Sequence, residues 1–196
     1  MKSVGSFILC FILSSQLCFG QADTIPKTRH VAEFNWTITI PDAYKLVADA
    51  DWDAQEKKGE EFFENAWGED IVNEAVTLFA YKSGQYNSFD ANWQAYDEEV
   101  DGDYKESNDG VNQLIFATLK SEMRGVFMDS TSSIQMIDGL KFHRFDINIE
   151  LTEEITFRVI GMSRPFGKKD FTMNIGYIDE KVGEQMLAAV LNSRFH

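Results

Sequence analysis

The sequence has 196 residues, with 18 lysines and arginines against 32 aspartates and glutamates, for a formal net charge of −14. Nucleic acid and anionic membrane surfaces repel so acidic a chain, which excludes them as partners. The aromatic content of 13% and the presence of only 3 prolines argue against disorder, and the length suits one domain with a sizeable core.

The chain opens MKSVGSFILCFILSSQLCFGQA, which has the order of a secretory signal: the basic residue Lys2, an apolar run, and then small residues. The apolar run is shorter than the ~20 residues of a membrane span, so no transmembrane segment is expected. Cleavage after Gly20 fits best, and cleavage after Ala22 is the alternative. A lipid anchor is disfavoured because no small residue precedes Cys18. We therefore predict a signal peptide over residues 1–20 and export to the periplasm or the extracellular space.

Removal of the signal also removes both cysteines, so the mature chain of about 176 residues has no disulfide and no thiol chemistry. Its formal charge becomes −15, from 17 basic and 32 acidic residues. Residues 21–30 are predicted to form a flexible leader, and residues 31–196 a single domain without repeats or linkers.

The first half of this domain shows a strand, two helical segments and a second strand. FNWTITIP alternates apolar and polar residues over 34–40, which predicts a strand with one buried face. Asp51 or Asp53 is predicted to cap a helix that ends at Gly59. A second helical segment is predicted over 60–67, followed by a strand over 74–83.

The second half begins with a polar stretch, 84–110, that is rich in turn residues and is predicted as the longest loop. A helix follows from about Asp109, with a mostly apolar stripe. Four strand-like runs come next, and their short connections imply antiparallel neighbours. The Asp-Gly pair at 138–139 predicts a tight hairpin between the first two, and Asp179 is predicted to cap a last helix.

This order predicts an α+β domain in which one mainly antiparallel sheet of about six strands carries helices packed on its faces. It also resembles the PsbP-like superfamily, which includes the extrinsic photosystem II subunit, a Ran-binding nuclear import factor and many bacterial envelope proteins. The resemblance rests on FNWTITIP, YNSF, IDGLKFHRFDINI and a last helix that runs into VLNSRF, and it spans residues 31–196. It implies an α/β/α sandwich and a non-enzymatic accessory or binding role, and it transfers no catalytic residue.

Two acidic stretches have part of the spacing of a calcium-binding loop. Residues 49–60 place acids at positions one, three, five and twelve (Asp49, Asp51, Asp53 and Glu60), but Ala54 replaces the glycine at position six. A helix cap with a solvated acidic face explains the same residues. Residues 97–108 supply Gly102 at position six but end in Asn108 rather than glutamate. The weak metal-ligand candidates are therefore Asp97, Glu99, Asp101 and Asp103, and a plain turn is the alternative.

The chain shows no catalytic signature and no cofactor motif, so neither kind of site is assigned. His143 alternates with apolar residues on a predicted strand, which indicates a structural histidine. Ser163 lies near a local basic patch formed by Arg164, Lys168 and Lys169. That patch suits an anion or an acidic partner surface, although a charged turn between strands is the commoner meaning. A carboxylate-based hydrolase needs two carboxyls about 5–10 Å apart across a cleft, which a sequence does not reveal.

Aromatic residues in the predicted loop form a candidate partner surface: Tyr86, Phe89, Trp93 and Tyr96. Exposed rings suit a protein or glycan partner, whereas rings that cover a sheet edge belong to the core. We predict a secreted or periplasmic, non-enzymatic protein that binds another envelope component. A hydrolase with a carboxylate cleft and a weak calcium-dependent binding protein are the alternatives.

Overall fold

The computed structural model describes residues 27–196, so the predicted signal peptide lies outside the described residues. The strands are β1 (Thr28–Val31), β2 (Trp36–Thr39), β3 (Lys45–Leu46), β4 (Val76–Ser83), β5 (Asn87–Ala95), β6 (Phe127–Ile137), β7 (Leu140–Glu150), β8 (Thr156–Phe166), β9 (Lys169–Tyr177) and β10 (Arg194–Phe195). The helices are α1 (Asp49–Trp67), α2 (Glu98–Asp101), α3 (Tyr104–Glu122) and α4 (Glu180–Leu191).

Two sheets contain these strands. The main sheet has seven strands in the order β3-β4-β5-β9-β8-β7-β6, one more than the six predicted, and every neighbouring pair is antiparallel. A small sheet has the order β1-β2-β10. The opening strand of the domain therefore belongs to the small sheet, where it joins the two ends of the described chain.

Each face of the main sheet buries its own apolar core. Alternation along β8 sends Phe157 to one core and Met162 to the other, as the two-residue period of a strand requires. α4 and the small sheet cover the core that contains Trp36 and Met162, while α1 and α3 cover the core that contains Phe63 and Phe157. The molecule is thus the α/β/α sandwich that the family resemblance implies. No helix among residues 27–196 is long and apolar enough to cross a bilayer.

The helix α1 is continuous from Asp49 to Trp67, so the prediction that Gly59 ends it is wrong. Glycine inside a helix costs about 1 kcal/mol relative to alanine, and burial of Trp52 and Phe63 on the same helix outweighs that cost. The N-cap is Ala48, without a side-chain capping bond, so the predicted caps at Asp51 or Asp53 are also wrong.

The prediction of one long loop over 84–110 is wrong as well. Residues 87–95 form β5, which lies inside the main sheet between β4 and β9. α3 begins at Tyr104, five residues before the predicted start, because the carboxylate of Asp103 accepts a capping bond from the backbone N–H of Glu106 at 3.0 Å. The polar side chains of β5 point into the protein, which is why the pattern suggested a loop.

Both ends of the described chain are tied to the small sheet. Residues 28–30, the end of the predicted leader, lie in β1 and pair with β2. At the other end β10 pairs with β2, and the indole N–H of Trp36 donates to the hydroxyl of Ser193 at 2.9 Å. Residues 21–26 of the predicted leader lie outside the described residues.

Candidate functional site

The main sheet carries a polar layer on the face covered by α1 and α3. The register places Asp90 of β5 opposite Asn174 of β9, and Asn92 opposite Thr172. All four side chains are buried, with exposed fractions between 4% and 9%. Alternate residues of β9, such as Met173, face the apolar core on the other side of the sheet. Two central strands therefore have one polar and one apolar face, although both faces are covered.

Asp90 of this layer and Glu56 of α1, which faces it, have perturbed acidity. Burial, with a smaller contribution from the charge of Glu56, raises the pKa of Asp90 to about 7. The amides of Asn92 and Asn174 donate to one Asp90 oxygen at 3.0 and 2.9 Å. Burial likewise raises the pKa of Glu56, whose carboxylate accepts hydrogen bonds from Trp52 and Thr77. A neighbouring pair of this kind is a recognised setting for acid–base chemistry.

Asp90 is shielded from solvent in this layer. Asp90 is only 6% exposed, and neither it nor Glu56 lines the cavity described below. Two further buried oxygens, Ser88 Oγ and Asn174 Oδ1, lack a hydrogen-bond partner within the described part of the chain. The layer thus contains strongly desolvated polar groups, with Asp90 itself almost entirely shielded from solvent.

Hydrogen bonds attach α3 to the outer end of the polar layer. The phenol of Tyr104 donates to Asp170 at 2.5 Å, and the amide of Asn108 donates to Ser163 Oγ at 2.8 Å. The amide of Asn112 in turn donates to Asn108 at 2.9 Å. Burial raises the pKa of Asp170, and burial together with the Asp170 charge raises the pKa of Tyr104 far above its ordinary value. These contacts fix the start of α3 over β8 and β9.

The histidine and serine singled out in the sequence are neighbours. The register places His143 of β7 directly opposite Ser163 of β8, and the His143 ring lies 5.2 Å from the ring of Tyr104. Burial lowers the pKa of His143. Within residues 27–196, however, no hydrogen bond joins the imidazole to Ser163 Oγ, which accepts from Asn108 instead. The pair is therefore not assembled as a nucleophile and its base.

A surface cavity of about 460 Å³, here called the acidic pocket, lies beside the outer end of the polar layer. It is formed by the end of β5, by α2, by the start of α3 and by the turn between β8 and β9. Its lining residues are Tyr96, Asp97, Glu98, Glu99, Asp103, Tyr104, Pro165, Gly167 and Lys168. The rings of Tyr96 and Tyr104 meet edge to face, with centroids 5.2 Å apart.

Local hydrogen bonds explain why the chain folds into this shape. Asp97 caps α2 by accepting from the backbone N–H of Glu99, and its other oxygen accepts from Lys168 Nζ at 2.6 Å. The hydroxyl of Tyr96 donates to the backbone carbonyl of Gly102 at 2.7 Å. Gly102 has a φ of 79°, a conformation that glycine adopts without strain, and it lets the chain turn from α2 into α3.

The acidic pocket has a negative potential. Four acidic side chains and one basic side chain line it, a net charge of −3. The hydrogen bond from Lys168 lowers the pKa of Asp97, which keeps that carboxylate ionised. Desolvation and then the charges of Glu98 and Asp103 raise the pKa of Tyr96. Within the described residues, neither Glu98 nor Glu99 has an ion-pair partner, so two carboxylates are available to a cation.

The structure brings parts of both predicted residue sets together. Tyr96, from the aromatic set, lines the acidic pocket together with Asp97, Glu99 and Asp103 from the acidic set. Asp101 does not line it, because its carboxylate accepts from the backbone N–H of Asp97 at 2.7 Å. Asp97 and Asp103, two of the predicted metal-ligand candidates, cap the helices α2 and α3.

The other three aromatic candidates lie apart. Tyr86 is 44% exposed in the turn between β4 and β5, while Phe89 is fully buried in the apolar core. Trp93 is half-buried, and Lys169 Nζ lies 3.8 Å from its ring centroid. The four rings thus do not form one exposed surface, and Phe89 is a core residue.

The calcium-like spacing of residues 49–60 falls on a helix. Because those residues lie in α1, their acids project around a helical surface and do not surround one point. Across residues 27–196, no group of three or more histidine, cysteine, aspartate or glutamate side chains is arranged to hold a metal ion.

Sequence reasoning missed Asp90, Glu56 and Asp170. The signal was nevertheless present: polar residues alternate with Phe89, Ala91 and Trp93 along β5, and this period of two indicates a strand. The polar residues and turn residues of 84–110 instead led to the prediction of a loop.

A solved protein has a similar fold. The solution structure of cyanobacterial PsbP (CyanoP) from Synechocystis sp. PCC 6803 aligns with a TM-score of 0.52, over 92% of this chain and 98% of that chain. The chain has a PsbP-like fold. The sequence identity is 8%, so the likeness extends to the fold alone. In sequence, the chain matches no protein-family model and no curated protein. In this PsbP-like fold, the acidic pocket lies at one end of β5, β8 and β9.

Proposed function

We propose that this protein is an exported, non-enzymatic PsbP-like protein that binds another envelope protein through the acidic pocket. The observation that carries the proposal is the pocket lining, which combines four carboxylates, one ammonium group and two tyrosine rings around about 460 Å³. A lysine or arginine side chain of the partner suits this lining, because carboxylates form charge-assisted hydrogen bonds with it and aromatic rings attract a cation.

The chemistry of the lining favours binding over catalysis. Asp97 and Asp103 are engaged as helix caps, and the hydroxyl of Tyr104 is engaged with Asp170. The carboxyl whose pKa is raised to about 7 belongs to Asp90, which does not line the pocket. The exposed acids of the pocket thus supply fixed negative charge, which attracts and orients a cation without transferring a proton.

The predicted signal peptide indicates the compartment in which the proposed binding takes place. A protein that carries such a signal meets its partners in the envelope or outside the cell. A partner with a basic side chain at its surface is steered towards a chain whose net charge is −14.

Affinity capture from the native envelope tests the proposal with three forms of the protein: the wild type, Glu98→Gln with Glu99→Gln, and a control with Glu153→Gln and Glu154→Gln. The control removes the same charge from the exposed turn between β7 and β8. We expect the same envelope protein with the wild type and the control, and its loss with the pocket variant. Recovery of the same proteins by all three forms would contradict the proposal.

A further inference from the structure

Among the described residues, β6 is the outermost strand of the main sheet, with no strand paired to its outer side. It pairs with β7 in one unbroken register, from Phe127 opposite Glu150 to Ile137 opposite Leu140. Within residues 27–196, no other strand pairs with it. The opposite edge strand, β3, has only 2 residues, whereas β6 has 11. An edge of this length offers a row of backbone donors and acceptors to a further strand.

The sequence of β6, FMDSTSSIQMI, has few of the usual devices that protect an edge. It contains no lysine, arginine or proline, its pairing with β7 shows no bulge, and its one charged residue is Asp129. Three of its apolar side chains, Phe127, Ile134 and Met136, are 61%, 52% and 49% exposed. β6 is therefore a nearly uncharged, partly apolar strip on a chain whose net charge is −14.

We propose that β6 pairs antiparallel with β6 of a second copy of this chain, so that the two main sheets join across a two-fold axis. The register that uses the whole strand centres the axis on Ser132. In this register Met136 lies opposite the second copy's Met128, and Ile134 lies opposite the second copy's Ser130. Each of these pairs shares one face of the joined sheet, as an antiparallel ladder requires.

The strand is self-complementary about Ser132, which favours a second copy as the occupant of this edge. Two chains of net charge −14 repel each other wherever their acidic surfaces meet, so they associate best along a strip that carries almost no charge. In the whole-strand register Asp129 lies opposite the second copy's Gln135, and no like charges are opposed. No residue of β6 lines the acidic pocket, so the pairing leaves the proposed partner site accessible.

Sedimentation equilibrium over a range of protein concentrations tests the pairing. We expect a concentration-dependent dimer for the wild type, and a dissociation constant at least tenfold higher for Ser132→Lys, which places two ammonium groups together at the axis. The matched control is Gln185→Lys, which adds the same charge at an exposed position of α4 and should dimerise like the wild type. A wild type that is monomeric throughout, or a Ser132→Lys variant that dimerises equally well, would overturn the proposal.

Disulfide trapping tests the register in a chain whose Cys10 and Cys18 are changed to serine. Residues directly opposite in an antiparallel pair have Cα atoms about 4.5–5.5 Å apart, within the range that a disulfide bridges. Oxidation should therefore link Ser132→Cys to its own symmetry mate. Ser130→Cys should stay unlinked, because its symmetry mate lies about 13 Å away along the strand. Equal linking of both variants would overturn the proposed pairing.

Discussion

Tyr104, the first residue of α3, donates a 2.5 Å hydrogen bond to Oδ1 of Asp170, the second residue of β9. This contact connects two features of the molecule, because Tyr104 lines the acidic pocket while Asp170 belongs to the buried polar layer. The wall of the proposed binding site is thus held in place by a carboxylate that the fold has removed from water.

Replacing Tyr104 with phenylalanine tests the importance of this bond. Asp170 would keep only its hydrogen bond with Gln94, and a buried carboxylate that loses a donor costs about 1–3 kcal/mol. We expect the free energy of unfolding in urea to fall by that amount at pH 8. The loss should shrink as the pH falls, because burial raises the pKa of Asp170 and a protonated carboxyl depends less on a donor than a carboxylate does. The control Tyr86→Phe removes an exposed hydroxyl, and an equal loss for both variants would contradict this account.

The carboxyl of Asp90 makes stability depend on pH. Its pKa is about 7 in the folded protein against an ordinary value of 3.8, so the folded state binds a proton that the unfolded state releases. Its contribution to stability is fully present below about pH 4 and is lost as the pH rises through about 7. The difference between those two pKa values corresponds to a loss of at most about 4 kcal/mol in the free energy of unfolding.

Asp90→Asn isolates this contribution, because other buried groups titrate as well. The pKa of Glu56 is also raised, whereas the lowered pKa of His143 acts in the opposite direction. We expect the free energy of unfolding of the variant to rise relative to the wild type between pH 5 and pH 8. The control Glu153→Gln changes an exposed acid and should show a constant difference. A constant difference for Asp90→Asn would refute the assigned pKa.

Substitution of alanine at two helical glycines is expected to change the stability of the protein in opposite directions. A Cβ at Gly183 in α4 would overlap the ring of Tyr177 in β9, while a Cβ at Gly110 in α3 would have no neighbour within 4 Å. We expect Gly183→Ala to lower the free energy of unfolding by about 3 kcal/mol and Gly110→Ala to raise it by up to about 1 kcal/mol. Thermal and urea unfolding measure both changes. If Gly183→Ala kept wild-type stability, the close packing of α4 on β9 would be disproved.

Local patterns were sufficient to predict several elements. The Asp138-Gly139 hairpin is confirmed: both residues have positive φ, 48° and 78°, and they join β6 to β7 as a two-residue turn. The cap of α4 is confirmed as well, since Asp179 accepts from the backbone N–H of Val182. In both cases the residues that determine the conformation are adjacent in sequence.

Prediction failed where distant contacts decide the structure. β5 resembles a loop because Ser88, Asp90 and Asn92 are polar, yet β4 and β9 bury it. The acidic pocket was partly predictable, because Tyr96 and several of its acids are close in sequence. Lys168 reaches them only because β5 and β9 are paired, with the backbone N–H of Tyr96 donating to the Lys168 carbonyl at 3.0 Å. The sequence around Tyr96 does not indicate this contact with Lys168, because the contact depends on the pairing of β5 with β9.

A titration of the ¹⁵N-labelled protein with a tetralysine peptide, followed by NMR, tests the binding of a basic group to the acidic pocket most directly. We expect saturable chemical-shift changes confined to residues 96–104 and 165–168, with about tenfold weaker affinity when Glu98 and Glu99 are both changed to glutamine. Changes of equal size along the acidic helix α1, or an unchanged affinity in the double variant, would contradict the proposed function.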